Sequence, residues 1–202
     1  MPASNHDLHG NVPDTSHVAL LLVDVINDLE FPGGEELLGP AQAMAARLAE
    51  LKRRAKRVGI PAVYANDNFG RWQSDFKKLV DHCLADGVRG RPVARLLAPE
   101  EDDYFVLKPK HSAFYSTTLD TLLVYLQART LIITGMATDI CVLFTANDAY
   151  MRDYRVIVPA DCVAAVDPRE NERALGLVRR VLKADTRPSA ELDLKELTRP
   201  AT

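Results

Sequence analysis

The chain has 202 residues, of which 47% are hydrophobic and 26% are charged, and its formal net charge is −3. This length is sufficient to bury a complete core, so we expect a single α/β domain. A slightly acidic balance gives no electrostatic footprint for nucleic acid. No apolar run approaches the ~18 residues that span a bilayer, and the N-terminal residues lack the order of a signal peptide. We therefore expect a cytoplasmic protein with neither a nucleic-acid nor a membrane partner.

The predicted elements alternate between short apolar runs and amphipathic helical stretches, after a flexible N-terminal arm (1–16). The predicted strands are 18–26, 61–67, 103–110, 130–136 and 154–162, with a weaker sixth strand within 185–194. The predicted helices are 35–59, 74–86, 118–129, 139–153 and 168–184. In residues 17–202 this alternation predicts one three-layer α/β domain, with a six-stranded, mostly parallel sheet and helices on both faces.

Two local patterns add detail to the predicted helices. Ser74 has the character of an N-cap for the second helix. The basic stretch KRRAKR (52–57) lies near the end of the first helix and is predicted to be a solvated helix face.

The chain has three cysteines, which lack the CxxC spacing of metal or redox motifs. An odd number of cysteines in a reducing compartment is typical of free thiols. Cys83 lies in a helical segment and Cys162 at a strand end, so both are predicted to be packing residues. Cys141 follows the strand LIITGM at the beginning of a helix.

Functional side chains collect at the carboxyl ends of parallel strands. Asp24 interrupts the apolar run VALLLVDVI, and Lys108 follows the apolar run YFVL. A charged group in such surroundings needs a partner, and an acid beside a lysine would offset the burial cost of both. The sequence therefore predicts Asp24, Lys108 and Cys141 on one rim of the sheet.

The position of Cys141 at a helix start suggests chemistry. Unpaired backbone N–H groups and the helix dipole favour an anion there, so the pattern predicts a lowered thiol pKa, lowered further by a neighbouring lysine. A thiolate is a nucleophile, and the same N–H groups suit an oxyanion. From the pattern alone, packing of Cys141 in the core is an equal alternative.

Three ordered motifs resemble the isochorismatase-like cysteine hydrolases, which include nicotinamidases, N-carbamoylsarcosine amidase and ureidoacrylate amidohydrolases. The motifs are ALLLVDVINDLEF (19–31), VLKPKHSAFYSTTLD (106–120) and LIITGMATDICVLFTANDAY (131–150). The resemblance covers residues 17–184. It implies the six-stranded parallel fold described above and assembly as a homodimer or homotetramer.

The resemblance also implies a role for each residue of the rim. Asp24 becomes the general base, Lys108 the triad lysine and Cys141 the nucleophile. A cis peptide bond is implied between Met136 and Ala137, and an oxyanion hole from the N–H groups of Ala137 and Cys141. The implied reaction is hydrolysis of a small amide, ureide or carbamoyl compound through a thioester. Asp24 would pass the thiol proton to the leaving amine and then activate the water.

Two positions depart from the family pattern. Ile26 stands where many members have a glutamine, and Phe69 where nicotinamidases have the first zinc-binding histidine. Phenylalanine cannot coordinate a metal, so we expect no metal and no cofactor, and Asp67 is predicted to be a turn residue. Nicotinamide is accordingly a disfavoured substrate.

Further residues near the rim are assigned more loosely. Lys110 competes with Lys108, which we retain because it directly follows the buried run. His111 could act as an acid or base, but a loop side chain is the favoured interpretation. Arg71 could shape the pocket or simply lie in an exposed loop. The tentative substrate pocket comprises Asn68, Trp72, Phe114 and Tyr115.

Three alternative functions remain open at this stage. Isochorismatase-type hydrolases that cleave a vinyl ether do not need the thiol, and a catalytically retired member would act as a binding protein. A dinucleotide-binding module is disfavoured because no GxGxxG follows a strand. If the thiol is catalytic, Cys141 should be alkylated faster than Cys83 or Cys162.

Overall fold

The computed structural model describes residues 15–69 and 75–199. Its sheet has six strands, of which five lie in the order β3-β2-β1-β4-β5. The sixth strand, β6, pairs with the end of β4, whereas β5 pairs with the beginning of β4. Every strand pair is parallel. The strands are β1 (Val18–Val23), β2 (Ala62–Asp67), β3 (Tyr104–Lys108), β4 (Thr130–Met136), β5 (Arg155–Ile157) and β6 (Val163–Ala164). The predicted fold class is confirmed.

Helices connect the strands and cover both faces of the sheet. They are α1 (Gly34–Arg57), α2 (Phe76–Leu84), α3 (Arg91–Leu96), α4 (Leu119–Leu126), α5 (Leu143–Met151), α6 (Pro168–Val181) and α7 (Leu194–Leu197). A π-helical turn (Thr138–Val142) precedes α5, and 3₁₀ turns occupy 160–162 and 189–191. Within 15–69 and 75–199, no helix is long and apolar enough to cross a bilayer.

The central strand β1 divides the core into two layers. Leu20 and Leu22 pack with α1, α2 and α3 on one face, whereas Leu21 and Val23 pack with α4, α5 and α6 on the other. All six residues of β1 are fully buried. A strand covered on both faces is expected to be continuously apolar, which explains the run VALLLV.

The structure corrects the predicted ends of several elements. β1 ends at Val23, because Asp24 turns the chain with a left-handed φ of 53°. The sixth strand is Val163–Ala164, and the predicted segment 185–194 contributes only an isolated bridge from Asp185 to Ile157. The two-residue β6 is too short to show a hydrophobic period, so the pattern could not reveal it.

The amino terminus of α2 differs from the prediction as well. Asp75 is its N-cap and accepts a hydrogen bond from the N–H of Lys78. The predicted cap, Ser74, lies outside the described residues. The helix α3 (Arg91–Leu96) was not predicted, since six residues are too few for a clear helical period.

The basic stretch 52–57 is predicted to be a solvated helix face, and the structure shows that this prediction is wrong for part of it. Lys52 is only 4% exposed, and its Nζ lies 2.5 Å from a carboxylate oxygen of Asp103 and 3.0 Å from the Tyr64 hydroxyl. Lys56 forms ion pairs with Asp102 and Asp103. The acidic partners lie about fifty residues away along the chain, so local charge patterning could not identify them.

Gly135 allows β1 and β4 to approach each other at the end of the sheet where Asp24 lies. Its φ is +114°, which side chains rarely adopt, and a Cβ there would lie 2.0 Å from the carbonyl oxygen of Val23. Glycine is therefore required at this position.

We predict that Gly135→Ala lowers the free energy of unfolding by at least about 2 kcal/mol, because it adds both a steric clash and a strained φ. Gly176→Ala in α6 is the matched control, since a Cβ there meets no atom within 4 Å. Alanine in a helix interior should stabilise the protein by roughly 0.5–1 kcal/mol. Urea denaturation measures both effects, and equal stabilities for the two variants would contradict the prediction.

Candidate active site

Asp24 and Lys108 form a buried ion pair at the carboxyl ends of β1 and β3. The Nζ of Lys108 lies 2.8 Å from Oδ2 of Asp24, and the lysine is completely buried. Oδ1 of Asp24 accepts the backbone N–H of Asp67 at 2.8 Å. The lysine also donates to the carbonyl oxygen of Lys110 at 3.3 Å. Both charges therefore have the partners that burial requires.

Cys141 completes the cluster from the π-helical turn after β4. Its Sγ lies 3.6 Å from the Nζ of Lys108, and the Asp24 carboxylate is close enough to influence the pKa of the thiol. The cysteine is half-buried, whereas Cys83 and Cys162 are fully buried. The three side chains that the sequence assigned to one rim thus lie within reach of one another. Lys110, the competing lysine, has an exposed side chain.

The ionisation of the cluster differs from the prediction. Burial, and next the Asp24 carboxylate, raise the pKa of the Cys141 thiol to about 12, against the opposing effect of Lys108. The predicted lowering of the thiol pKa is therefore wrong. Proximity to a helix start and a lysine does not compensate for desolvation and a neighbouring negative charge. At neutral pH the sulfur carries its proton.

The other two groups suit removal of that proton. Burial raises the pKa of the Asp24 carboxyl above its ordinary value, although Lys108 acts to lower it. Burial acts to lower the pKa of Lys108, but Asp24, Cys141 and Asp67 together raise it above its ordinary value. The lysine stays charged, and the carboxylate is a stronger base than a solvated one. The arrangement provides a base for the thiol proton and a cation beside the sulfur as the nucleophile forms.

The backbone between β4 and Cys141 has a distinct conformation. The peptide bond between Met136 and Ala137 is cis. The carbonyl oxygen of Ala137 accepts the N–H groups of Ile140 and Val142, which fixes the turn that carries the cysteine. The oxyanion-hole role of the Ala137 and Cys141 N–H groups remains a prediction.

The tentative pocket residues have different environments. Asn68 is buried, and its backbone N–H donates to the carbonyl oxygen of Lys108, so it borders the site. Tyr115 is 57% exposed. Trp72 lies outside the described residues, as does Arg71.

Phe114 belongs to the core rather than to an open pocket. It is 4% exposed, and its ring packs against Tyr154 and the guanidinium group of Arg152. The assignment of Phe114 to the substrate pocket is corrected accordingly. Its position in a loop after a strand gave no signal of this burial.

Asp67 forms a turn at the rim. Its Oδ1 accepts the backbone N–H of Phe69 at 2.5 Å, and its Oδ2 lies 3.9 Å from the Nζ of Lys108. Among the described residues, no group of three His, Cys, Asp or Glu side chains is arranged to hold a metal ion.

Two residues near the sulfur were not assigned to the site from the sequence. The Nδ1 of His111 lies 3.9 Å from Sγ of Cys141, although the loop interpretation was favoured. The buried hydroxyl of Thr145 accepts the N–H of Ala113 and donates to the carbonyl oxygen of Cys141. The sequence contains one indication of the contact between Thr145 and Cys141, because the two residues are four positions, or about one helical turn, apart.

A surface groove lies away from this site. It has a volume of about 680 Å³ and is lined by α1, the end of α3 and the segment after α3, including Lys52, Lys56 and Glu100. Those lysines are neutralised by acidic partners. We therefore place the candidate active site at the triad, which contains a nucleophile and a base, and not in this groove.

Sequence and structure comparisons show the family to which the chain belongs. The sequence profile of the isochorismatase domain matches residues 18–186. The chain belongs to the isochorismatase family. It is 46% identical over 167 residues to the uncharacterized isochorismatase family protein YaaI of Bacillus subtilis, covering 83% of this chain and 91% of that protein. The family assignment made from the three motifs is confirmed, and the protein is an isochorismatase-family hydrolase.

Two further relatives have named activities. The chain is 28% identical over 183 residues to the ureidoacrylate amidohydrolase RutB of Methylorubrum extorquens, covering 77% of this chain and 73% of RutB. The crystal structure of N-carbamoylsarcosine amidase from Thermoplasma acidophilum superposes with a TM-score of 0.61 and 30% identity. That superposition covers 87% of this chain and 98% of the amidase.

We predict that Asp24→Asn shifts the pH midpoint of Cys141 alkylation downward by roughly one unit or more. The substitution removes the negative charge that raises the thiol pKa and leaves the lysine that lowers it. The measurement is the rate of carbamidomethylation by iodoacetamide at Cys141 as a function of pH, followed by peptide mass spectrometry. Buried Cys83 is the internal control. An unchanged or higher midpoint would be inconsistent with the described electrostatics.

Proposed function

We propose that the protein hydrolyses a small amide, ureide or carbamoyl compound through a thioester on Cys141. The observation that carries the proposal is a sulfur that lies 3.6 Å from a buried ammonium group, which is itself paired at 2.8 Å with a buried carboxylate. The C–N bond activities named for RutB and for N-carbamoylsarcosine amidase support the same class of substrate.

The first half of the reaction forms the thioester. Asp24 takes the thiol proton as Sγ of Cys141 attacks the substrate carbonyl carbon, and the backbone N–H groups of Ala137 and Cys141 receive the developing oxyanion. The C–N bond breaks as Asp24 returns the proton to the leaving nitrogen. Ammonia or an amine departs, and the acyl group remains on the sulfur.

Lys108 stabilises the negative charge on both sides of the proton transfer. Its Nζ lies 2.8 Å from the carboxylate and 3.6 Å from the sulfur, so it faces a negative charge before and after the proton moves. Without this charge, a thiolate in a half-buried position would be strongly disfavoured. The second half of the reaction is attack of water on the thioester, which releases the acid and regenerates the thiol.

Cleavage of a vinyl ether is the second candidate function, and the site gives a reason to prefer the first. A thiol that contacts both a base and a cation is needed for acyl transfer but not for ether hydrolysis. The two candidates predict different effects of removing the sulfur.

We predict that Cys141→Ala lowers kcat/KM for the amide substrate by at least roughly a thousandfold, because the covalent step is lost. The substrate is identified by an ammonia-release screen over small amides, ureides and carbamoyl compounds. Cys83→Ala, which removes a sulfur from the core, is the matched control and should retain activity. Circular dichroism verifies that both variants are folded.

Two outcomes would contradict the proposal. Full activity of purified Cys141→Ala would exclude a thioester mechanism. Strong inhibition by a chelator would show that a metal ion participates, since the steps above use only side chains and backbone N–H groups.

A further inference from the structure

A second basic group lies on the solvent side of the nucleophile. The Nδ1 of His111 is 3.9 Å from Sγ of Cys141, within the range of a hydrogen bond to sulfur. Lys108 is completely buried and Asp24 is 6% exposed, whereas His111 is exposed. Among the described polar side chains that contact the sulfur, the imidazole is therefore the one that bulk water reaches.

Two contacts position His111, one at its ring and one at the backbone of the preceding residue. Its ring centroid lies 5.5 Å from that of Phe144, at an interplanar angle of 52°, which is a common aromatic contact. The preceding residue, Lys110, accepts a hydrogen bond from the Nζ of Lys108 through its carbonyl oxygen. The ammonium that pairs with Asp24 thus also fixes the beginning of the loop that carries His111.

Thr145 joins the other end of this loop to the nucleophile. Its fully buried hydroxyl accepts the N–H of Ala113 at 3.0 Å and donates to the carbonyl oxygen of Cys141 at 2.7 Å. One side chain therefore fixes both the turn that bears the sulfur and the chain two residues after His111. This link holds the loop that carries His111 beside the turn that bears the sulfur.

Asp24, the base for the thiol proton, is buried on the protein side of the site. Oδ2 of Asp24 is bonded to Lys108 and Oδ1 to the N–H of Asp67, both at 2.8 Å. A water that attacks an acyl group on Sγ approaches from the open side of the site. An imidazole on that side accepts a proton on one ring nitrogen while the other retains its own.

We propose that His111 is a further catalytic residue, the general base for the water that hydrolyses the thioester. This inference rests on the proposed function. The water oxygen forms a bond to the acyl carbon as Nδ1 of His111 takes one water proton. The C–S bond then breaks, the sulfur leaves as a thiolate, and the imidazolium returns the proton to Sγ across the 3.9 Å contact. The products are the free acid and the Cys141 thiol.

The test uses p-nitrophenyl acetate, because nitrophenolate leaves without needing a proton. Acylation of Cys141 then depends little on an acid, and the slow phase after the nitrophenolate burst measures thioester hydrolysis. His111→Gln keeps a polar side chain that cannot take a proton. His17→Gln, at the opposite end of β1 from Asp24, is the matched control, and Cys141→Ala is the blank.

We predict that the burst is preserved in His111→Gln and that the rate constant for hydrolysis of the acetyl-enzyme falls about a hundredfold. His17→Gln should match the wild-type protein. Hydroxylamine attacks thioesters without a general base, so adding it should abolish the difference between His111→Gln and wild type. Intact-mass spectrometry should find the acetyl group accumulated on Cys141.

The outcomes separate this inference from the proposed function. Equal rates of acetyl-enzyme hydrolysis in His111→Gln and wild type would overturn the role of His111 alone. A defect in the burst without a defect in hydrolysis would overturn it too. A wild-type protein that gives no burst dependent on Cys141 would refute the nucleophile, and with it the proposed function.

Discussion

The buried ion pair between Asp24 and Lys108 is the constraint on which the site depends. Burial of two charges costs several kcal/mol per ion, and only close geometry and full hydrogen bonding offset that cost. Here the 2.8 Å contact is supplemented by the N–H of Asp67 and the carbonyl oxygen of Lys110. The turn after β1, the end of β3 and the loop after it are thereby held around one point, where the sulfur of Cys141 lies.

The same pair determines when the sulfur becomes reactive. Because burial and the Asp24 carboxylate raise the pKa of the Cys141 thiol, the resting site holds a neutral thiol beside an ion pair rather than a free thiolate. Moving the proton to Asp24 places the new negative charge on sulfur, 3.6 Å from Lys108. The net charge of the cluster does not change in this transfer, which limits its cost in a half-buried site.

Much of the fold and the three central residues could be predicted from the sequence. Asp24 and Lys108 stood out because ionisable residues in apolar runs need partners, and parallel strands direct their carboxyl ends to one rim. The thiol pKa could not be predicted, since it depends on the distances between side chains that lie at or after the ends of three different strands. The burial of Lys52 depends on Asp103, and the contact of His111 depends on a loop that no periodic pattern describes.

The coupling between the two charges can be measured directly with a double-mutant cycle on the free energy of unfolding. Removing either partner alone, in Asp24→Asn or Lys108→Met, leaves a buried group without its partner and should cost about 3–5 kcal/mol. The double variant removes both charges, so its loss should be clearly smaller than the sum of the single losses. Strictly additive losses would show that the two groups do not interact and would contradict the account of the site.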